Sequence, residues 1–448
     1  MQLAIKNPRQ INLALIICTL FVFLEMLDLS FINSTSAVIA QHFDIDTSQV
    51  DLLYLSFAIG ATLILPGTNF FYQHWQLKSL LFQSSFLMII IFLLSFFTSS
   101  WWWFCILRLL QGLLLTLNYS VIYIYSIDIS LNKQDDINLI NGSSILGLFL
   151  GPLIAAYLNQ FNWRYIFFIF SLILIVSLIL LVTVNFKRPL PNMHKSQTGL
   201  FSEYFFMALL LSSLALFFEN SLAYYFRLLI TLVFFIAFYQ LYIRYYQRRQ
   251  SFIFTIEVFN CNLLKALSFN FLVRNILALS PLFAYSLIKD YAISPAQIAT
   301  LLSYLAIAAL LAKIAYKKYA QLLVLLPMTI LLGLTLGGFC YLLINSQPNL
   351  NFIYLSIIFI CYGFASSILY NICNLQLYKN QKASLNNSLS LILTIIQTLT
   401  YGICTGINFA IYDFCKRFYS ALPGLVFSIA ISYLLLCIAN LLKKPKKT

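Results

Sequence analysis

Charged residues are scarce in this sequence. Only 9% of its 448 residues are Asp, Glu, Lys or Arg, whereas 61% are hydrophobic. A water-soluble protein needs more polar side chains than this to cover its surface. The composition therefore excludes a globular protein in water and indicates that lipid surrounds most of the chain.

The signatures of common enzyme and metal sites are also missing. None of the nine cysteines forms a C-x-x-C pair, which argues against a zinc site and a disulfide framework. His42, His74 and His194 are isolated, and there is no H-E-x-x-H, G-x-S-x-G or G-x-x-x-x-G-K motif. We therefore expect no enzyme activity, metal or cofactor, although an intramembrane transferase or protease is the rival from a different class.

The positive charge is not concentrated on any one segment. The formal net charge is +14, but the basic residues are scattered through short polar breaks and a tail at 443–448. This distribution does not favour nucleic acid as a partner. Lys and Arg are enriched in cytoplasmic loops of membrane proteins. Here loops that carry Lys and Arg alternate with loops that carry few, which predicts that both termini are cytoplasmic. We expect the membrane to be a plasma (bacterial inner) membrane.

Apolar stretches long enough to cross a bilayer recur along the whole chain. About 20 apolar residues in a helix span the roughly 30 Å hydrocarbon core. We predict an all-α polytopic membrane protein with about fourteen transmembrane helices, at 11–34, 48–71, 77–98, 102–126, 138–159, 163–186, 200–218, 223–243, 262–288, 296–315, 320–343, 350–377, 384–411 and 421–442.

Two polar breaks divide these predicted spans into groups. The first holds two prolines and no apolar run, and the second is rich in arginine. We predict an N-terminal six-helix bundle at 11–186, a cytoplasmic linker at 187–199 and two inserted transmembrane helices at 200–250. A C-terminal six-helix bundle follows at 251–442, and a basic cytoplasmic tail at 443–448 ends the sequence.

Two acidic residues lie inside the first predicted span. A charge in a bilayer is costly and usually faces a cavity or a partner, so such residues are functional candidates. Glu25 and Asp28 are three residues apart and share one helical face. Two carboxylates this close cannot both ionise easily, which favours a proton-binding role. The alternative is that one lies near the membrane surface and pairs with a basic side chain.

The fourth predicted span carries a polar stripe. Arg108, Gln111, Asn118 and Tyr119 recur at helical spacing. Because arginine keeps its proton, Arg108 can bias a neighbouring carboxylate toward the charged state. The alternative is an arginine that reaches toward water at the outer leaflet.

Further polar residues in other spans are candidates for a substrate cavity. An amphipathic organic molecule needs a few polar groups among apolar and aromatic walls. The same side chains can instead form hydrogen bonds between helices. The candidates in addition to Gln111, Asn118 and Tyr119 are Asn33, Arg274, Tyr370, Asn371 and Gln397.

Small residues are spaced along the fifth predicted span. Gly147 and Gly151 allow a neighbouring helix to approach closely, and Pro152 loosens the backbone locally. This suits a helix that bends during transport, while static close packing explains the spacing equally well.

Four of these stretches together resemble one family, the fourteen-span drug:proton antiporters of the major facilitator superfamily. Residues 27–33 (LDLSFIN) are similar to its L-D-x-T-x-x-N signature, and residues 108–112 (RLLQG) to its R-x-x-Q-G motif. Residues 147–156 (GLFLGPLIAA) resemble the antiporter motif G-x-x-x-G-P-x-x-G-G, with two alanines for the last glycines. Residues 163–167 (WRYIF) are similar to W-R-W-I-F.

The resemblance implies a fold and a function. The fold is two six-helix bundles with two inserted helices between them, and the function is export of small amphipathic molecules driven by a proton gradient. It implies proton coupling at Asp28, Glu25 and Arg108. The loop at 67–76 departs from the superfamily's G-x-x-x-D-R-x-G-R-K pattern, since it lacks the Asp and the Arg. Export of an endogenous metabolite such as a siderophore, import, and a non-transporting receptor on the same fold are the alternatives.

Overall fold

The structure, a computed structural model, is helical in all its long elements. It describes residues 8–45, 47–50, 52–68, 71–72, 75–129, 133–184, 197–217, 224–247, 261–277, 279–319, 325–345, 351–378 and 421–441, and isolated positions between 392 and 414. Within these ranges there is no β-strand. Nine of the described helices are long and apolar enough to cross a bilayer, and three shorter apolar helices accompany them.

The N-terminal half contains six long helices. A short helical turn at Thr47–Val50 precedes the second helix, and another at Leu65–Gly67 follows it directly. A third, at Trp163–Tyr165, precedes the sixth helix. The helices are α1 (Pro8–Phe43), α2 (Leu52–Ile64), α3 (Leu77–Phe97), α4 (Trp101–Ile129), α5 (Lys133–Leu158) and α6 (Ile166–Thr183).

Two inserted helices and the C-terminal half follow. The predicted linker at 187–199 and the tail at 443–448 fall almost wholly outside the described residues, and the predicted span at 384–411 is described only at isolated positions. The helices are α7 (Gln197–Phe217), α8 (Tyr224–Tyr242), α9 (Cys261–Leu277), α10 (Ser280–Lys289), α11 (Pro295–Tyr319), α12 (Leu325–Asn345), α13 (Phe352–Tyr378) and α14 (Ala421–Leu441).

The predicted ninth span consists of two helical pieces. α9 ends at Leu277 and α10 begins at Ser280, although the apolar stretch continues from Leu263 to Lys289. Pro281 lies in the first turn of α10, where its missing N–H would find no helical acceptor in any case. A proline further inside a helix removes a backbone hydrogen bond and breaks the helix before it, so the interruption has a local cause.

The backbones of α2 and α4 cross in direct contact. A Cβ atom at Gly60 would lie 1.9 Å from the carbonyl oxygen of Leu109, and one at Gly112 would lie 2.1 Å from that of Phe57. No side chain fits at either distance. These two glycines therefore permit the close crossing, as small residues commonly do between membrane helices.

The two halves pack against each other through α5 with α11 and through α1 with α10. Aromatic rings also meet here. Tyr54 of α2 stacks on Phe409, with ring centroids 6.4 Å apart. The ring centroid of Tyr285 lies 5.5 Å from that of Phe409. Tyr412 donates a hydrogen bond to the carboxylate of Asp290. Of these three contacts, the one between Tyr54 and Phe409 joins the two halves, while the other two lie within the C-terminal half.

The inserted pair packs against α2. Tyr204 of α7 donates a hydrogen bond of 2.9 Å to the carbonyl of Leu63, and its ring lies against Gly67. Within the pair, buried Glu203 accepts a hydrogen bond of 2.8 Å from Tyr245 and lies 3.8 Å from Arg244. The inserted helices therefore hold the end of α2 that precedes the atypical loop at 67–76.

Replacing Gly60 by alanine tests the close crossing of α2 and α4. We expect Gly60→Ala to destabilise the protein by about 1–3 kcal/mol, because the added methyl group overpacks the contact with Leu109. The matched control is Gly337→Ala in α12, where a Cβ atom meets nothing within 4 Å. Thermal unfolding of purified protein, followed by intrinsic fluorescence, measures both. Equal melting midpoints for the two variants would contradict the packing described here.

Candidate functional site

A buried ion pair joins α1 to α4. Nη1 of Arg108 lies 2.8 Å from each carboxylate oxygen of Asp28. Both side chains are only 1% exposed. A buried pair of this kind is tolerated because each charge compensates the other, and removal of either partner leaves a costly lone charge. Two of the three residues predicted for proton coupling, Asp28 and Arg108, thus form one unit.

A hydrogen-bonded chain extends the ion pair to two more helices. Arg108 also donates to Oε1 of Gln111 at 2.8 Å, and Nε2 of Gln111 donates to Oγ of Ser95 on α3 at 2.7 Å. The guanidinium lies over the ring of Phe57 on α2, 4.9 Å from its centroid, a favourable cation–π arrangement. Arg108 therefore contacts groups on α1, α2 and α4, and reaches α3 through Gln111.

Glu25 lies one helical turn from Asp28 on α1 and is also buried, at 6% exposure. Its Oε2 has no hydrogen-bond partner in the part of the chain that the structure describes. Arg108 bonds to Asp28 and to Gln111, not to this carboxylate. A buried carboxylate without a cation is stable only when a proton or a positively charged ligand binds to it.

The glycines of the predicted fifth span lie against α1. Ser30 Oγ donates a hydrogen bond of 3.0 Å to the carbonyl of Gly147, and a Cβ atom at Gly151 would lie only 1.9 Å from the same Oγ. Pro152 is buried inside α5 directly after this contact. The predicted small-residue motif therefore brings α5 against the helix that carries Glu25 and Asp28.

The polar stripe of α4 divides between two neighbours. Asn118 accepts a hydrogen bond from Ser84 and donates one of 3.4 Å to Ser85, both on α3. Asn118 therefore joins α4 to α3, and its predicted part in a substrate cavity stays a prediction. Tyr119 is partly buried on the same helix, and its ring lies 5.7 Å from that of Tyr123, centroid to centroid.

In the C-terminal half, Arg274 and Tyr370 form a second polar group. Arg274 donates from Nη2 to Oη of Tyr370 and from Nε to Oδ1 of Asn270, both at 2.8 Å. Its guanidinium lies 4.6 Å from the centroid of the Tyr370 ring. Arg274 is 6% exposed. Two of the predicted cavity residues are thus brought together, on α9 and α13.

The remaining predicted cavity residues contribute less to this arrangement. Asn33 is buried in α1, where its backbone carbonyl accepts a hydrogen bond from Ser36. Asn371 is partly buried next to Tyr370, and Gln397 lies outside the described residues. Their predicted part in a substrate cavity remains a prediction.

Sequence reasoning missed three residues that complete these groups, namely Ser95, Phe57 and Asn270. Serine and phenylalanine are common in apolar helices, so neither carried a signal. Asn270 precedes Arg274 by four residues and therefore shares its helical face, a spacing that was available in the sequence.

A family-level sequence profile described as Major Facilitator Superfamily matches residues 18–405. The chain belongs to the major facilitator superfamily. The match extends over both halves and the inserted pair. Membership identifies an integral, multi-pass membrane protein and supports transport, not enzymatic catalysis, as its activity. No curated protein sequence matches the chain at a significant level.

Solved structures share the fold over nearly the whole chain. An auto-inhibited POT family peptide transporter aligns with a TM-score of 0.68 at 12% identity, covering 98% of each chain. A D-xylose-proton symporter aligns at 0.64 and 14% identity, over 96% of this chain and 97% of its own. A mutant of the nucleoside transporter NupG aligns at 0.63 and 12% identity, over 96% and 100%. At these identities the likeness concerns the fold alone.

Disrupting the buried ion pair tests its energetic role. We expect Asp28→Asn or Arg108→Gln alone to destabilise the protein by about 3–5 kcal/mol, because each leaves one partner uncompensated. The double variant Asp28→Asn/Arg108→Gln should regain part of that loss. Thermal unfolding in detergent provides the comparison.

Arg244→Gln serves as the control for this experiment. Its guanidinium is 3.8 Å from Glu203 and is partly exposed, so a smaller loss is expected. A double variant as unstable as the sum of the two single variants would show that Asp28 and Arg108 do not stabilise each other.

Proposed function

We propose that this chain is a proton-coupled exporter of small amphipathic organic compounds that works by alternating access. The observation that carries the proposal is the buried Asp28–Arg108 ion pair with Glu25 beside it. Ionisable groups inside a membrane protein commonly mark proton or ion pathways. The resemblance of residues 27–33, 108–112 and 147–156 to antiporter motifs supports the same conclusion.

Proton binding at Asp28 would change the contacts of α1. While Asp28 is ionised, it holds α1 against Arg108 on α4. A proton on the carboxylate removes the charge that Arg108 compensates and weakens this contact. Because α1 also packs against α5 and against α10 of the opposite half, the proton can favour one orientation of the two halves over the other.

The proton gradient is a sufficient source of energy for export. One proton that crosses 100 mV supplies about 2.3 kcal/mol. Since about 1.4 kcal/mol corresponds to a tenfold ratio, one proton per substrate supports a gradient of roughly fifty-fold. No bound cofactor is needed under this proposal.

The small-residue contact between α1 and α5 supports export over import within this proposal. Ser30 lies directly against Gly147 and Gly151, which belong to the stretch that resembles the antiporter motif. An endogenous metabolite would use the same residues and remains an alternative substrate. The symporter that shares this fold shows that fold alone does not determine direction.

Proton flux in proteoliposomes tests the proposal. We expect amphipathic compounds, presented as a panel of cationic, anionic and zwitterionic molecules, to drive proton movement through the wild type. Asp28→Asn and Arg108→Ala should abolish this flux, because each removes one side of the coupling pair. Glu203→Gln in the inserted pair should retain it, since that carboxylate lies away from the ion pair.

The outcomes distinguish coupling from transport. Substrate uptake without proton movement in the wild type would contradict proton coupling but not transport. Flux that survives both Asp28→Asn and Arg108→Ala would place the coupling site elsewhere. An absence of any flux in folded protein would contradict the proposed substrate range.

A further inference from the structure

Arg274 is a buried cation without a counter-charge. It lies in the last turn of α9, near the middle of the candidate membrane span Leu263–Lys289, and is 6% exposed. The ion pairs found among the described residues are those of Arg108 and Arg244, so no carboxylate of the described chain compensates Arg274. Because arginine keeps its proton, it cannot avoid the cost of burial by becoming neutral.

Two neutral side chains hold the guanidinium of Arg274 in a fixed orientation. Its Nε donates to Oδ1 of Asn270 and its Nη2 to Oη of Tyr370, both at 2.8 Å. The ring of Tyr370 also faces the guanidinium, with its centroid 4.6 Å from Cζ. Arginine has five N–H donors, and within the described chain the Nη1 of Arg274 donates to no acceptor. Donors therefore remain for a ligand.

The backbone beside Arg274 is anchored to two other helices. Nδ2 of Asn275 donates a hydrogen bond of 3.1 Å to Oγ of Ser432 on α14. Tyr362 on α13 donates a hydrogen bond to the carbonyl of Ile276. A binding group that its neighbours already hold in place loses less conformational freedom when a ligand binds.

The membrane span that carries Arg274 is interrupted directly after it. α9 ends at Leu277 and α10 begins at Ser280. Substrate sites of transporters are typically formed by membrane helices that are discontinuous in this way. The negative end of the α9 dipole favours a cation in the last turn, which explains why the fold tolerates Arg274 before a ligand binds. A buried cation and an interrupted helix thus coincide.

We infer that Arg274 binds an anionic group of the transported substrate, and that the substrates are amphipathic organic carboxylates. The inference rests on the proposed function, because it names the substrate class of the same exporter. A planar carboxylate accepts two parallel hydrogen bonds from a guanidinium, and its charge compensates the buried cation. A neutral or cationic molecule of the same shape leaves Arg274 uncompensated, so the site favours anions.

This assignment separates substrate binding from proton coupling. Arg108 is compensated by Asp28 within the N-terminal half, whereas Arg274 belongs to the C-terminal half and bonds only to neutral groups among the described residues. The two buried arginines therefore have different roles, since the first already has its carboxylate and the second receives one from the substrate.

Equilibrium binding to purified protein tests the inference without any proton gradient. The probes are biphenyl-4-carboxylate and biphenyl-4-carboxamide, which have the same shape but differ in charge. Isothermal titration in an uncharged detergent, corrected by titration into micelles alone, gives both affinities. The carboxylate should bind the wild type about tenfold more tightly than the amide, as expected for one charge-assisted contact.

Variants assign this preference to Arg274. Arg274→Gln should weaken binding of the carboxylate about tenfold and leave the amide unchanged, because only the charge-assisted contact is lost. Arg274→Lys should retain part of the preference, since it keeps the charge but not the planar pair of donors. Arg244→Gln, which removes a partly exposed arginine from the inserted pair, is the matched control and should leave both affinities unchanged.

Tyr370→Phe tests whether the orientation of the guanidinium matters. It removes the acceptor of Nη2 but keeps an aromatic ring beside Arg274. Affinity for the carboxylate should fall about threefold while affinity for the amide stays the same. Equal losses for both probes would exclude this positioning role.

The inference would be overturned by equal affinities of the two probes for the wild type, or by a preference that survives in Arg274→Gln. Failure of the carboxylate to bind wild-type protein that unfolds cooperatively would overturn it as well. These outcomes would leave the proposed proton-coupled export to be judged separately by proton flux.

Discussion

The ion pair between Asp28 and Arg108 is the interaction on which the rest of this structure depends. Two charges are held 2.8 Å apart, and both side chains are almost completely buried. Such a pair is costly to bury and more costly to break. It fixes α1 against α4, and through Gln111, Ser95 and the Phe57 ring it also fixes these helices against α2 and α3. A single proton at Asp28 therefore acts on a whole bundle.

The position of α1 explains how a local change can reach the opposite half. α1 contacts α10 of the opposite half, and its small-residue contact with α5 connects it to α11 as well, since α5 packs on α11. The inserted pair contacts a different helix, because Tyr204 holds the end of α2 that precedes the loop at 67–76.

The hydrophobicity of the sequence predicted much of the fold, but it did not predict which side chains contact each other. The span predicted at 77–98 is Leu77–Phe97 in the structure, because a long apolar run between Gln76 and Thr98 has one stable arrangement in lipid. The interruption near Pro281 was missed, although the proline signalled it. Helical spacing placed Glu25 and Asp28 on one face, but only the packed structure shows which of them meets Arg108. The same spacing could not reveal that Asn118 bonds to Ser84 and Ser85 on α3.

The most direct test of this account is the distance between the two halves as a function of pH. Spin labels at Gln160→Cys, two residues after the end of α5, and at Ala296→Cys in the first turn of α11, both exposed positions, report that distance by double electron–electron resonance. Acidification should shift the distance distribution of otherwise wild-type protein, and Asp28→Asn should hold it in the acidic distribution at every pH. An equal pH-dependent shift with and without Asp28→Asn would contradict the claim that protonation of Asp28 controls the orientation of the halves.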